Sequence, residues 1–521
     1  MEKSISIELK QLCKGQNDVF DTLFRLKTSN NDDINQIFEE LKSQYIEAKR
    51  ISPHKIIETI FTAAKYNNRY TKSYWELFKK VYNEYHPTQT IMIDLAFDYF
   101  VHKEYGIFLY KDHKESIEEY YQFQSNNYSL NVHEEGTIFR AIMEDNKDSL
   151  ISFTEKNDFD AEERIENPFY PDPYHLYSLL ELCCYHGSVV CFKFLRTKFN
   201  LEITPICLQY SFLSGNTHII SECLKVQKPS KECMKYAIIS HEIEKVIFLM
   251  NDYETKIKLD DCVEYNNLLA FLAYFDQNKS IDDCFAVSPS FGLKSICKYL
   301  LDHGADINAK DSHMKTALHY AAEYNNAVIA ELLISRGADI ESTDSRANTS
   351  LIWASQYNSK EVVEILLSHG ATITKSTALQ SSPLITAASY NSKETAEVLI
   401  SHGADVNEAD DGQKTPLHWA AMCESPETAE LLISHGADIN LLAQGIPPIQ
   451  YAADQGSIGM VKVLVSHGAD VNFTEDDGFT PLQAAIYRNN KAMVDVLISL
   501  GAQVTDDINK SLENMNDYDY D

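Results

Sequence analysis

From residue 414 to 440 the chain reads KTPLHWAAMCESPETAELLISHGADIN, and its apolar positions fall on two short helical faces. Leu417, Ala420 and Ala421 make the first face, and the small alanines let neighbouring helices approach closely. Leu431, Leu432 and Ile433 make the second, over a helix expected at 428–434. Polar residues mark the ends. Thr415 suits an N-cap, because its hydroxyl accepts a backbone N–H of the first turn. Pro416 follows at N1, where a missing N–H costs nothing. A break at 424–426 separates the helices, His435 lies in the last turn, and Gly436 takes the C′ position that needs positive φ.

This pattern recurs. Gly304, Gly337, Gly370, Gly403, Gly436, Gly468 and Gly501 are spaced by 33, 33, 33, 33, 32 and 33 residues. A fixed period of that length is the mark of a solenoid. The cap and first turn read T-A-L-H (316–319), T-S-L-I (349–352), S-P-L-I (382–385), T-P-L-H (415–418), P-P-I-Q (447–450) and T-P-L-Q (480–483). These residues closely resemble the ankyrin motif T-P-L-H-x-A-A…L-L-x-x-G-A-D, over 311–507. The resemblance implies a regular array at 301–507, with repeats near 313–345, 346–378, 379–411, 412–444, 445–476 and 477–509. Pro447 replaces the capping Thr in the fifth copy, which is one residue short, so that turn is expected to be the least regular. Losing a Thr cap costs about 1 kcal/mol.

The upstream pattern is helical but less periodic. Val19, Leu23 and Leu26, then Ile34, Ile37, Phe38, Leu41 and Tyr45, predict two amphipathic helices within 1–50. Ser52-Pro53 opens another helix, and the aromatic stretch 66–87 predicts a helix with Tyr70, Tyr74, Trp75, Phe78, Tyr82 and Tyr85 on one side. A helical N-terminal domain is expected at 1–125, ending near Glu118, Glu119, Tyr120 and Tyr121, before a polar break at 124–136. Residues 137–300 carry weaker echoes of the helix pair, with Gly187 and Gly215 in the bends and a long acidic, proline-bearing loop at 157–173. The bends lie 28 residues apart, which predicts divergent repeats with clipped loops. Residues 508–521 read as an acidic, disordered tail. The expected fold is therefore all-α, a helical N-terminal domain followed by a solenoid. The stretch 66–87 and the recurrent YNSKE and SHGADIN wording also resemble an expanded protist family. In it, an N-terminal helical region and a divergent ankyrin-like domain of unknown function precede regular repeats. That resemblance implies an interaction scaffold and no known activity.

Charge narrows the partners. The net charge is −31; residues 1–130 hold 17 basic and 19 acidic residues, leaving 29 basic against 58 acidic in the rest. An acidic solenoid is a poor nucleic-acid surface, since phosphate binding needs a basic stripe. A protein partner, basic if charge guides it, fits better. The aromatics of 66–87 interleave with Arg69, Lys72, Lys79 and Lys80, a base-stacking pattern, yet with no net positive charge they read better as a helical core. No apolar run is long enough to span a membrane. The eleven cysteines are scattered without a C-x-x-C, and with no secretory signal they read as reduced thiols of an intracellular, cytoplasmic protein, the nucleus remaining open.

Candidate chemistry is sparse. His303, His369, His402, His435 and His467 precede the periodic glycines, but zinc ligands must converge on one point and these sit one repeat apart. They read as helix C-terminal donors. No phosphate-binding loop, nucleophile elbow, H-E-x-x-H or kinase signature occurs, so neither a cofactor nor catalysis is expected. Binding is left. By resemblance, the two positions after each Ala-Ala pair face the groove of an ankyrin array. They point to Tyr324, Gln356, Tyr357, Tyr390, Met422, Gln455 and Tyr487, with tyrosine at the second place in four copies of six. Tyrosine is a frequent interface anchor. Equally open is that the Tyr-Asn pair only terminates the first helix. The turn tips add Lys310, His313, Arg346, Asp410, Asp476 and Phe479. The expectation is a non-enzymatic scaffold that binds a protein through its concave face. Self-association through the aromatic N-terminal helices, or an unrecognised activity in 1–130, are the alternatives.

Overall fold

The computed structural model describes residues 2–13, 18–87, 94–107, 109, 123, 126, 128–374, 381–474 and 479–517. The chain divides into two compact units, Met1–Asp306 and Ile307–Asp521. Glu118, Glu119, Tyr120, Tyr121 and Asp476 lie outside the described residues.

In the first unit α1 (Glu2–Cys13), α2 (Asp18–Phe24), α3 (Asn31–Leu41), α4 (Pro53–Tyr66), α5 (Thr71–Tyr85) and α6 (Leu95–Tyr105) come first. Where two helices are expected in the opening 50 residues, three form, and a π turn, Lys42–Ile46, follows α3. The aromatic stretch is core: Tyr74, Trp75 and Phe78 are buried, and Phe61 lies 4.9 Å from Phe78 and 4.7 Å from Phe97 between ring centres. After α7 (Ile138–Met143) and α8 (Lys147–Thr154), the acidic loop closes through a two-residue antiparallel pairing, β1 (Arg164–Ile165) with β2 (Tyr177–Ser178). It buries Phe169 and Tyr170.

Helix pairs follow: α9 (Leu179–His186) with α10 (Val189–Phe199), α11 (Pro205–Ser214) with α12 (Thr217–Leu224), α13 (Lys231–Ile239) with α14 (Ile243–Tyr253), and α15 (Leu259–Glu264) with α16 (Leu268–Asn278). α17 (Ile281–Val287) and α18 (Lys294–Asp302) complete the unit. Gly215 ends α11 at φ +69°, and a Cβ there would lie 2.5–2.7 Å from the Glu242 carboxylate. The third bend has no glycine. His241 adopts φ 54° instead, held by Asp21 Oδ1 at 2.6 Å and the Tyr265 carbonyl at 2.8 Å, and stacked on Phe24 at 4.5 Å. Specific bonds offset the strain of a left-handed non-glycine residue.

The boundary expected near 125–137 does not separate two bodies. Tyr185 donates its hydroxyl to the Lys65 carbonyl at 2.7 Å, Asn68 donates Nδ2 to the Phe169 carbonyl at 3.0 Å, and Arg69 donates to the His186 carbonyl at 3.0 Å. The N-terminal helices are built onto the divergent repeats.

Among the described residues the second unit carries six helix pairs: α19 (Ala317–Glu323) and α20 (Ala327–Ser335), α21 (Ser350–Gln356) and α22 (Lys360–Ser368), α23 (Pro383–Ser389) and α24 (Lys393–Ser401), α25 (Pro416–Met422) and α26 (Pro426–Ser434), α27 (Pro448–Gln455) and α28 (Ile458–Ser466), and α29 (Pro481–Tyr487) and α30 (Lys491–Ser499). First helices stack on first helices and second on second, so the alanines of each A-A pair are buried between layers. Every periodic glycine from Gly337 to Gly501 has φ between 86° and 102°. Of the stretch expected as a disordered tail, residues 508–517 are instead helical, in α31 (Asp506–Asp517), and 518–521 lie outside the described residues.

The recurrent wording is largely a stacking code. Asn325, Asn358 and Asn391 sit at φ 52–54° between the helices of a pair. Asn325 donates to Glu361 at 2.7 Å and Asn391 to Glu427 at 2.6 Å; Asn358 binds Glu394 in the same way. Their Oδ1 atoms accept the next pair's backbone N–H groups at Thr395 and Thr428, both at 3.1 Å. In the GADVN loops, Asn407 Oδ1 accepts the Asp438 N–H at 2.9 Å and Asn472 Oδ1 the Gln503 N–H at 2.7 Å.

Candidate functional surface of the repeats

The hairpin tips of the second unit are shaped from within. Asp311 Oδ1 accepts the N–H groups of His313 and Lys315, both at 2.8 Å, and Met314 takes φ 62° to close the turn. Asp344 repeats this with Arg346 and Asn348, both at 2.8 Å, around Ala347 at φ 62°, and Asp410 with Lys414 at 2.8 Å around Gln413 at φ 62°. The second carboxylate oxygen of each aspartate reaches the first helix. Oδ2 accepts the Tyr320 hydroxyl at 2.7 Å, the Trp353 indole N–H at 3.0 Å and the Trp419 indole N–H at 2.9 Å. Each tip is thus braced to an aromatic nine residues later. Such rings lose little freedom on binding, because their orientation is already set.

Charge is managed locally. Burial would raise the Asp344 carboxyl, but the N–H groups of Asn348, Trp353 and Arg346 bring it below its ordinary value. Burial, with Asp311 beside it, pushes the Tyr320 hydroxyl well up, so it donates as a neutral phenol. Lys315 is buried; its ammonium lies 2.8 Å from Glu323, 3.5 Å from the centre of the Trp353 ring and 4.6 Å from that of Tyr320.

The two buried histidines of the T-x-L-H turns are structural. His319 Nδ1 accepts the Thr316 N–H at 3.1 Å, and its Nε2 donates to the Asn348 carbonyl of the next repeat at 3.0 Å. That pattern requires the neutral ring, and burial lowers its pKa to about 4. His418 follows suit, with Nε2 on the Ile446 carbonyl at 3.3 Å. The histidines before glycine donate Nδ1 to the carbonyl four residues back, at 2.8–2.9 Å for His303, His369, His402, His435 and His467. Among the described residues no three His, Cys, Asp or Glu side chains cluster as metal ligands would.

The expected binding tyrosines divide. Tyr324 and Tyr357 cap α19 and α21 and are 3% and 8% exposed, and Tyr357 stacks on Trp353 at 5.6 Å. Tyr390, the cap of α23, is half-buried. Tyr487 is 80% exposed. The cause is register. Counted from the N-cap, Tyr487 is the last residue of its helix and corresponds to Glu323, Gln356, Ser389 and Met422, whereas Arg488 corresponds to the three buried or half-buried tyrosines. The sixth Ala-Ala pair falls one position early. Arg488 forms two bonds to Asp454, at 2.8 and 2.9 Å. Gln356, Met422 and Gln455 are half-buried at the ends of their helices.

At the tips, His313 and Arg346 are exposed, and the His313 carbonyl accepts the Ser345 N–H at 2.9 Å, tying adjacent tips together. Lys310 donates to the Thr343 carbonyl at 2.8 Å, Asp410 is consumed by its own turn, and Phe479 is half-buried. The fifth tip is shorter rather than irregular. Ala443 and Ile446 exchange two bonds, at 2.9 and 3.0 Å, across Gln444 and Gly445, both at positive φ. Two such residues are what a type I′ turn requires. The defect lies one step on: Pro447 has no N–H, and the buried Gln450 Oε1 it would have served has no partner among the described residues.

Sequence reasoning missed the row Tyr320, Trp353, Trp419. The available signal was an aspartate followed nine residues later by an aromatic, three times over.

No described helix is long and apolar enough to cross a membrane. A comparison with curated proteins finds no match. Among solved structures, the chain is similar to the human ASB11 ankyrin repeat domain, at 20% identity and a TM-score of 0.39, over 43% of this chain and 99% of that one. Residues 199–274 match the family described as a domain of unknown function, DUF3447. Residues 284–377, 374–443 and 440–508 match the family described as ankyrin repeats, and the period, the helix pairs and the left-handed glycines agree with it. The chain therefore carries ankyrin repeats over 284–508 and a DUF3447 domain before them.

Proposed function

We propose that the protein is a non-enzymatic scaffold that binds a protein partner through the concave face of its repeats, formed by the first helices and the tips. Ankyrin repeats imply a protein–protein interaction role. The observation that carries the more specific reading is the pair of half-buried indoles, Trp353 and Trp419, each fixed by a tip aspartate, with the buried Tyr320 holding the same brace in the first repeat. Rigid aromatic anchors beside adaptable polar positions are the composition of interface hot spots. Gln356, Met422 and Tyr487 share one register beside this row, and His313 and Arg346 supply exposed tip chemistry. The acidic balance of the chain favours a basic partner. The DUF3447 match before the repeats and the repeated YNSKE wording support membership of an expanded protist family of such proteins, working inside the cell.

The test is a crosslinked pull-down from the native cell with the intact chain and with a Trp353→Ala, Trp419→Ala, Tyr487→Ala variant of equal helicity. A protein lost only from the variant is the expected result. An identical catch from both would remove the site from this face.

A further inference from the structure

A cleft of about 310 Å³ lies in the first unit, where the α2 and α4–α5 ends of the N-terminal helices meet the bends after α9, α11 and α13. Its charge is opposite to that of the chain. Arg25, Lys27 and Arg69 line it, against Glu242 as the one carboxylate in the wall. Among the described residues none of the three cations makes an ion pair, although the chain carries an excess of 31 negative charges. Arg69 is held in place by its bond to the His186 carbonyl at 3.0 Å, which leaves most of its fork of donors unused. The Glu242 carboxylate packs against Gly215 at the wall, 3.7 Å from Lys245. Asp21, Asp33 and Glu40 line a neighbouring recess that Arg25 and Lys27 share; Asp21 is bonded to His241, Asp33 to the Thr28 hydroxyl and Glu40 to the Gln36 amide, and none of the three lines the cleft itself. The remaining polar lining is uncharged, with the Tyr70 phenol and the Asn67 amide among it.

Arg25, Lys27 and Arg69 are exposed side chains that line one recess without an ion pair, so an anion entering it would meet three available cations. Arginine forks match phosphate oxygens in pairs. The volume exceeds that of a lone phosphate and falls at the lower end of small-ligand sites, roughly 300–1,000 Å³. From this geometry we infer that the first unit binds a small phosphorylated ligand between its N-terminal helices and its divergent repeats, through Arg25, Lys27 and Arg69. The site is independent of the repeat surface proposed above.

Calorimetry and thermal shift on the full chain test this, with tripolyphosphate, inorganic phosphate and citrate as probes. Saturable one-site binding of tripolyphosphate is expected, weakened at least about tenfold in Arg25→Gln with Arg69→Gln, as loss of charge-assisted bonds dictates. Lys27→Gln alone, on the exposed edge, keeps the test usable should the double variant misfold. Glu242→Gln is expected to tighten binding, a change of sign that a merely structural role would not produce. No saturable binding at millimolar probe, equal binding in the cation variants, or citrate binding as tightly as tripolyphosphate would each overturn the assignment. A phosphoserine peptide binding more tightly than tripolyphosphate would overturn the small-molecule reading.

Discussion

Pro447→Thr is expected to stabilise the second unit. In three other repeats the cap residue gives its N–H to the side chain three positions on: Thr316 to His319 at 3.1 Å, Thr415 to His418 at 3.2 Å and Thr480 to Gln483 at 2.9 Å. Pro447 has the φ and ψ of a cap, −83° and 164°, but no N–H, and Gln450 Oε1 is left buried and unpartnered among the described residues. A buried, unsatisfied acceptor costs about 1–3 kcal/mol. A capping hydroxyl contributes about 0.5–2 kcal/mol. Against these stands the entropy advantage of proline in the unfolded chain, about 0.4–1 kcal/mol. The net is a gain of about 0.5–4.5 kcal/mol, and each kcal/mol raises Tm by roughly 2–4 °C in a unit of this size. Thermal and urea unfolding followed by circular dichroism measure it. Gln450→Leu makes the cause visible: it should cost little beside Pro447 but remove much of the gain in the Pro447→Thr background, a coupling of about 1 kcal/mol. A Pro447→Thr variant that melts lower, or a coupling of zero, would refute the reasoning.

Other outcomes follow from burial and register. Tyr357→Ala should cost about 2–4 kcal/mol, since it removes a buried ring stacked on Trp353, while Tyr487→Ala, 80% exposed, should stay within about 0.5 kcal/mol; comparable melting shifts would contradict the register. His319 has a folded pKa of about 4 against 6.5, so the neutral form stabilises the fold. Its contribution is complete above pH 6.5, falls as pH drops toward 4, and amounts to about 2 kcal/mol lost by pH 5. His319→Gln, which keeps an acceptor for the Thr316 N–H as Gln483 does for Thr480, should flatten that part of the pH–stability curve; an unchanged slope would place the titration elsewhere. Ten of the eleven cysteines are buried, and burial pushes thiols such as Cys183, Cys184 and Cys262 well up, so a thiol reagent should label Cys423 alone in the native chain and all eleven after denaturation. Rapid native labelling of several thiols would contradict that burial.

The repeat architecture is legible in the chain because its determinants are local. A glycine at C′, a Thr or Ser cap and an alanine pair each act within one turn, and they recur every 33 residues or close to it. The same locality explains why the histidine row reads as helix C-terminal donors from the sequence. What the chain did not disclose depends on contacts distant in sequence. The tyrosines read as surface because they were counted from the alanine pair, whereas side-chain direction follows the helix start; only the folded register separates the buried Tyr357 from the exposed Tyr487. The aspartate–aromatic braces join a tip to a helix face and carry no signal in hydrophobic period. The N-terminal helices looked like a separate domain because their partners lie about a hundred residues and more downstream, as with Lys65 and Tyr185 or Asp21 and His241. The cationic cleft is the extreme case. Arg25 and Lys27 lie far from Arg69 along an acidic chain, and no composition window marks them; they line one recess only when packing brings the α2 end and the α4–α5 turn to the bends of the divergent repeats. Periodicity determines which residues fold against their neighbours, and tertiary packing decides which charges and rings remain available to a ligand.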